Sequence, residues 1–320
     1  MTSKRVLVIA NKNWEASALM NVLLEAKACP ERFPWPVRLN HPLPPQSDWN
    51  RPQPRGVFQF QEATHGRSQE VQVEVWCIQD AMDPSVSSSS TKEKMRVLPT
   101  LFGQQGDSHT TPDFVIAFGT AGFPDEVSCN GCVFVGANAF LYDPYEGSKT
   151  GADNYWHSDM TSHVLPPTLL SGGLFDPHPE IFDDLIRSQV EARFIVPPMK
   201  PASQQHLIVA RDYTAVGVVN ITNYDDYAWA DEKALHAFEA TPEVAIEKAK
   251  LGSLETTHGI IRLQSEAPFL FVSGITDRIG HFNEDVGMRP YAQNFSCAHN
   301  AGVATAWLIP AIARYLSSEG

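Results

Sequence analysis

Apolar positions along the chain fall into two kinds of run, and each predicts a different element. Near-continuous runs cover Arg5–Ala10, Phe114–Phe118, Ala215–Val219 and Pro268–Ile275. Such runs predict strands buried on both faces, as in a parallel sheet. Val71, Val73 and Val75 alternate with Gln72, Glu74 and Trp76, which predicts a further strand over Val71–Gln79, and shorter strands are expected over Val57–Gln61 and Cys132–Ala137. Helical spacing joins Trp14, Ala18, Leu19, Val22, Leu23 and Ala26. Further helices are predicted over Thr91–Phe102, capped by the end of the serine run Ser85–Ser90, and over Pro179–Phe194, Asp231–Phe238 and Thr256–Leu263. A long packing helix closes the chain from Tyr291 to Leu316, with Pro310 as a kink. Strands alternating with helices define an α/β fold.

Two stretches break the rhythm. Residues 29–56 carry Pro30, Pro34, Pro36, Pro42, Pro44, Pro45, Pro52 and Pro54, too many for a helix or a central strand. This reads as an extended insertion or lid. Residues 140–175 are aromatic and polar, with Tyr142, Tyr145, Tyr155, Trp156, His157, Asp159 and His163. Their spacing fits no metal-ligand signature, so a peripheral or subunit-contact loop is expected. With 320 residues, 43% of them hydrophobic, the chain is expected to form a single domain over 1–320 with insertions near 29–56 and 140–175.

Charge and cysteine content narrow the function classes. The 37 acidic residues outnumber 24 basic ones for a net charge of -13, which argues against a nucleic-acid partner. No apolar run approaches the roughly 20 residues of a membrane helix. Lys4-Arg5 leads straight into Val6–Ala10, a run too short for a signal core, so no membrane partner and a cytoplasmic location are expected. The five cysteines are scattered, which suits a reducing compartment. Cys129-Asn-Gly-Cys132 has half-site spacing but no second pair, and Asn130-Gly131 before an apolar run reads as a turn feeding a strand. No metal and no cofactor are expected.

Candidate chemistry gathers at predicted strand ends. The run from Phe114 ends in Gly119-Thr120-Ala121-Gly122, where the strand is expected to stop and the glycines let a ligand approach the main chain. Ligands of open α/β sheets sit beyond the carboxyl ends of strands. Glu15, Glu255 and Asp277 each follow such an end, and Tyr224 stands after Ala215–Val219. Each also has a plain structural reading. Glu15 and Glu255 suit a helix start, Asp277 a cap, and Tyr224 core packing. The glycine run is neither a dinucleotide fingerprint nor a phosphate-binding loop.

The order of these pieces resembles the nucleoside phosphorylase and nucleosidase superfamily, and is most similar to the methylthioadenosine/S-adenosylhomocysteine nucleosidases. The resemblance rests on the strand before Glu15, Gly119–Gly122, Asn220–Tyr224, Leu254-Glu255 and Thr276-Asp277. It implies a three-layer α/β sandwich with a central mixed sheet, a small-molecule nucleoside substrate, and a homodimer or higher homo-oligomer. Glu15 would be the base that positions water. Thr120, Ala121 and Gly122 would line the sugar and base pocket, with Asn223 beside it and Tyr224 stacked on the purine. Leu254-Glu255 stands for the family's Met-Glu, whose carboxylate holds ribose hydroxyls, and Thr276-Asp277 for its Ser-Asp, the acid that serves purine N7. Carboxylates suit this chemistry, because breaking an N-glycosidic bond gives the sugar oxocarbenium character while the leaving base must be neutralised.

The sequence departs from the family at Phe123, which replaces a second glycine, and at Cys132, which replaces an aspartate. Phosphorylases of the superfamily place an arginine near the glycine loop, where this chain has Ala117 and Phe118. Hydrolysis is therefore expected over phosphorolysis, with Arg211, Arg278 or Arg289 as the remaining sources of a cation. A catalytically weak nucleoside-binding protein is the reading from outside the enzyme classes.

Overall fold

The strand to which the others attach is β5, Phe114–Phe123. In this computed structural model the described residues are 3–28, 37–42, 49–64, 67–103, 111–124, 127–142, 156–157, 184–209, 213–219, 221–222, 224–240 and 251–318. β1, Lys4–Ala10, lies parallel to the first half of β5, with Val6 opposite Phe114 and Ala10 opposite Phe118. On the other edge β12, Phe269–Arg278, runs parallel to β5 from Val115 through to Phe123. Beyond Ala10 the β1 edge is taken up by β11, Leu251–Glu255, which meets β5 antiparallel with Leu254 opposite Gly122. Gly119, Thr120 and Ala121 therefore have no strand beside them on that edge among the described residues. The glycine-rich end was expected to stop the strand. Instead β12 pairs with it along its whole length and carries it to Phe123.

Among the described residues twelve strands form one mixed sheet. Outward from β1 lie β4, Arg67–Cys77, then β3, Gly56–Thr64, and β2, Val37–Pro42, the last two pairs antiparallel. Outward from β11 lie β10, Thr214–Val218, then β7, Asn138–Tyr142, and β8, Trp156–His157. β12 also pairs with β6, Val133–Gly136, which carries β9, Leu207–Val209. Within the proline-rich stretch, residues 37–42 thus form an edge strand, where missing N–H groups cost least. β7 likewise reaches into the expected aromatic excursion and buries Tyr142 completely. Tyr145, Tyr155, Asp159 and His163 lie outside the described residues.

Helices cover both faces because the central strands carry apolar residues on both sides. In β1, Val6 and Val8 join a core with Leu19, Val22, Leu308 and Ile312. These come from α1, Asn13–Ala28, and from the closing helix, Tyr291–Ser318. The intervening Leu7 and Ile9 point the other way and meet Leu98, Leu101 and Ile260. That face is covered by α2, Ile78–Ala81, by α3, Thr91–Leu101, and by a short helix, His258–Leu263. The two-residue period of a strand thus feeds two separate cores, and the result is the expected three-layer α/β sandwich.

Among the described residues the remaining α-helices, in chain order, are α4, Asp184–Glu191, and α5, Tyr224–Ala240, so that His258–Leu263 is α6 and Tyr291–Ser318 is α7. α5 begins seven residues before the predicted Asp231. The Cys129–Cys132 segment is a turn, with the Cys132 N–H on the Cys129 carbonyl at 2.9 Å, and neither cysteine forms a disulfide. Among the described residues no helix is long and apolar enough to cross a membrane.

The predicted cap of α3 is present, as the Ser90 hydroxyl accepts from the Glu93 N–H at 3.3 Å. Ser90→Ala is expected to cost about 1 kcal/mol of stability, measured by urea denaturation.

Candidate active site

The unaccompanied edge of β5 needs partners for its buried main-chain groups. Glu15, in the first turn of α1, supplies them. Its Oε1 accepts from the Thr120 N–H and the Thr120 hydroxyl, both at 2.9 Å. Its Oε2 accepts from the N–H groups of Asn11 at 3.1 Å and Lys12 at 2.8 Å. Four donors occupy the four lone-pair positions of a carboxylate that is only 3% exposed. This approach requires glycine at 119, since a Cβ there would lie 2.9 Å from Glu15 Oε1.

Asp277 occupies the matching position at Gly122. A Cβ on Gly122 would lie 3.0 Å from Asp277 Oδ2. Thr120 and Ala121 separate the two glycines, so the two acids are anchored at successive points along β5. Asp277 follows a register shift in β12 after Ile275 and is 3% exposed. Its Oδ1 accepts from the Thr276 hydroxyl and from Arg289 Nη1, which also donates to Thr276 Oγ1 at 2.8 Å. Of the three arginines expected as a cation source, Arg289 is the one brought to the site. Arg278 is paired with Asp285 and Glu284, and Arg211 lies outside the described residues.

Glu255 ends β11 one residue past the Leu254–Gly122 pair, between the other two acids. Its carboxylate accepts from the Thr257 N–H and, at 2.7 Å, from the His258 N–H. It is thus a helix-start carboxylate that also faces the cavity. Burial pushes its pKa up to about 7, opposed by the Lys94 ammonium and by those N–H groups.

One cavity joins these groups, with Glu15, Thr120, Tyr227, Glu255, Asp277 and Arg289 in its wall. Ala121 also lines it. Gly122 lies behind Asp277 rather than in the wall. Leu254 is fully buried in an apolar cluster with Val216, Val218 and Ile279, because successive residues of a strand face opposite ways and Glu255 takes the cavity side. Asn223 and the side chain of Tyr224 lie outside the described residues. Tyr227, nearly one helical turn further along α5, is the aromatic residue of that helix in the wall, set edge-on to Phe282 with ring centres 5.4 Å apart.

Two further wall residues carry no signal in the sequence. Lys12 reaches the Ser88 hydroxyl, and burial lowers its pKa against the opposing pull of Glu15. His258 is neutral, since burial pushes its pKa down to about 4. Its ring meets the Phe118 main chain and, through Nδ1, Ser273 Oγ at 3.3 Å. The two departures from the family lie elsewhere. Phe123 stacks on Phe134 at 4.7 Å, and Cys132 takes the His206 N–H on its sulfur at 3.4 Å. Among the described residues no group of three His, Cys, Asp or Glu side chains is placed to hold a metal ion.

No family model and no curated protein matches the chain. Among solved structures it is similar to the 5'-methylthioadenosine/S-adenosylhomocysteine nucleosidase of Neisseria meningitidis in complex with methylthio-immucillin-A, at 10% identity over 96% of this chain and 99% of that one, with a TM-score of 0.44. The S-adenosylhomocysteine nucleosidase of Streptococcus pyogenes in complex with 5-methylthiotubericidin gives 12% identity over 97% and 98%, with a TM-score of 0.45. The 5'-methylthioadenosine nucleosidase of Arabidopsis thaliana in apo form gives 13% over 97% and 96%, with a TM-score of 0.42. Likeness at this level leaves the activity to be argued from the side chains.

Gly119→Ala would drive a methyl group into the Glu15 carboxylate. A loss of about 1–3 kcal/mol of stability is expected in chemical denaturation, as for other overpacked sites.

Proposed function

We propose that the chain is a nucleosidase, hydrolysing the N-glycosidic bond of a purine nucleoside or a related nucleoside. The observation that supports this reading is the meeting of three buried carboxylates, Glu15, Glu255 and Asp277, in the wall of one cavity. In this reading Glu15 is the base. Its four lone pairs are taken, but the Thr120 hydroxyl is a rotor, and when it turns away a water takes its place at Oε1. As the C1′–N9 bond breaks, the water oxygen bonds to C1′ and its proton passes to Glu15. Glu255 binds the ribose hydroxyls and stabilises the positive charge that develops on the sugar. The electron pair of the broken bond leaves with the purine, which takes a proton at N7 from the acid form of Asp277; the proton that Glu15 takes from water is returned to Asp277 through solvent before the next turnover.

The Arg289 guanidinium against Asp277 adds a fixed positive charge where the base becomes negative. Tyr227 offers the ring face that was expected of Tyr224. The same reading carries a homodimer or higher homo-oligomer in the cytoplasm. A second reading, phosphorolysis, is favoured by Lys12 and Arg289, two cations in the cavity wall able to hold a phosphate.

Incubation with methylthioadenosine, adenosine and inosine, each with and without phosphate, separates the readings. Free base without phosphate is the expected result. Strict phosphate dependence with release of a sugar 1-phosphate would make the protein a phosphorylase. No base under either condition rules out both enzymes and leaves a nucleoside-binding protein. Glu15→Gln and Asp277→Asn are each expected to lower kcat by about 100-fold or more in a steady-state assay of base release.

A further inference from the structure

Lys94 has no part in the reaction just described, yet it is a charged side chain with no solvent exposure. It projects from α3 to the turn between β11 and α6. There its ammonium donates to the Thr256 carbonyl at 2.9 Å, the Thr256 hydroxyl at 2.7 Å and the Thr257 hydroxyl at 3.1 Å. Three protons meet three oxygens, which is the full donor set of a charged lysine. These two threonines directly follow Glu255, and the N–H groups of the same turn, from Thr257 and His258, point at the Glu255 carboxylate. The turn is thus gripped at its oxygens by a cation and at its N–H groups by an anion.

We propose that Lys94 is a positioning residue for Glu255: its ammonium fixes the Thr256–Thr257 turn in the shape that presents the carboxylate to the cavity and keeps that carboxylate charged. The proposal rests on the nucleosidase reading, in which Glu255 works as an anion. The charged or titratable groups facing Lys94 are Glu255 on β11, Glu15 on α1, Lys12 at the turn before α1 and His258 on α6. The two carboxylates favour the ammonium, Lys12 opposes it, and His258 is neutral. Burial pushes Lys94 down to about 7 and Glu255 up to about 7, so each holds its charge through the other. A lysine that only filled space would behave differently, because exchanging a buried charge for an apolar side chain of similar size is often neutral or stabilising.

The test is the pH profile of kcat/KM for wild type, Lys94→Met and Glu255→Gln, on whichever nucleoside wild type cleaves. Wild type is expected to gain activity as pH rises through about 7, where Glu255 ionises. In Lys94→Met that limb is expected to move up by about one to three pH units, with at least a tenfold loss at pH 7. In Glu255→Gln the limb disappears. A limb that stays in place in Lys94→Met overturns the proposal. Lys94→Gln keeps donors near Thr256 without the charge and is expected to shift the limb in the same direction. If neither Lys94 variant folds, Lys94 belongs to the fold rather than to the positioning of Glu255, and the proposal is wrong.

If wild type cleaves no nucleoside, the nucleosidase reading has failed, and the pairing is read instead from thermal unfolding. The pKa of Glu255 is raised on folding from 4.5 to about 7, so its stabilising contribution is complete below 4.5 and is lost as pH rises through about 7. In Lys94→Met this fall in the unfolding midpoint is expected to extend to higher pH. An unchanged profile there also overturns the proposal.

Discussion

The site exists because β5 is longer than the strand beside it. β1 stops opposite Phe118 and β11 arrives only opposite Gly122, which leaves buried main-chain groups of the three intervening residues without a ladder. Buried N–H and C=O groups must find partners. The Glu15 carboxylate takes the Thr120 N–H, and the His258 ring meets the Phe118 main chain. One contact therefore closes a fault in the sheet and fixes an acid at the wall of a cavity. Rigid strands on both sides set that position more finely than a loop would.

Three carboxylates on one cavity repel one another unless each has its own counterpart, and here the counterparts differ. Glu15 is surrounded by neutral donors, Asp277 faces a guanidinium, and Glu255 is balanced by a buried ammonium that does not touch it directly. Environments that differ in this way give chemically identical groups different tasks. Lys12 and Arg289 stand in the same wall as the three acids, although the chain as a whole carries a net charge of -13.

Much of this was legible in the chain itself. Central strands declare themselves as unbroken apolar runs, and Glu15 and Asp277 stand out because each follows one, whereas Glu255 follows only Leu251-Gly-Ser-Leu254. The glycines at 119 and 122 signal close approach, but not which side chain approaches. What could not be read depends on pairings between distant residues. Lys94 and Thr256 are 162 residues apart, and nothing local marks a lysine on an amphipathic helix as the buried one. Arg289 was one of three arginines with equal claim. Tyr227 went unmarked because its place in the wall depends on where the helix that starts at Tyr224 turns its side chains. Leu254 was assigned by its neighbour, whereas strand alternation sends it the opposite way.

The place of β12 in the sheet has a consequence for biosynthesis. Residues 269–278 are translated well after β5, yet β12 covers one whole edge of β5 and carries β6 and β9. Until it leaves the ribosome, an apolar central strand keeps an open edge and Asp277 is missing from its cavity. Nascent chains with such edges are prone to associate with one another. The segment that carries β12 thus decides both whether the sheet closes and whether the pocket acquires its third acid.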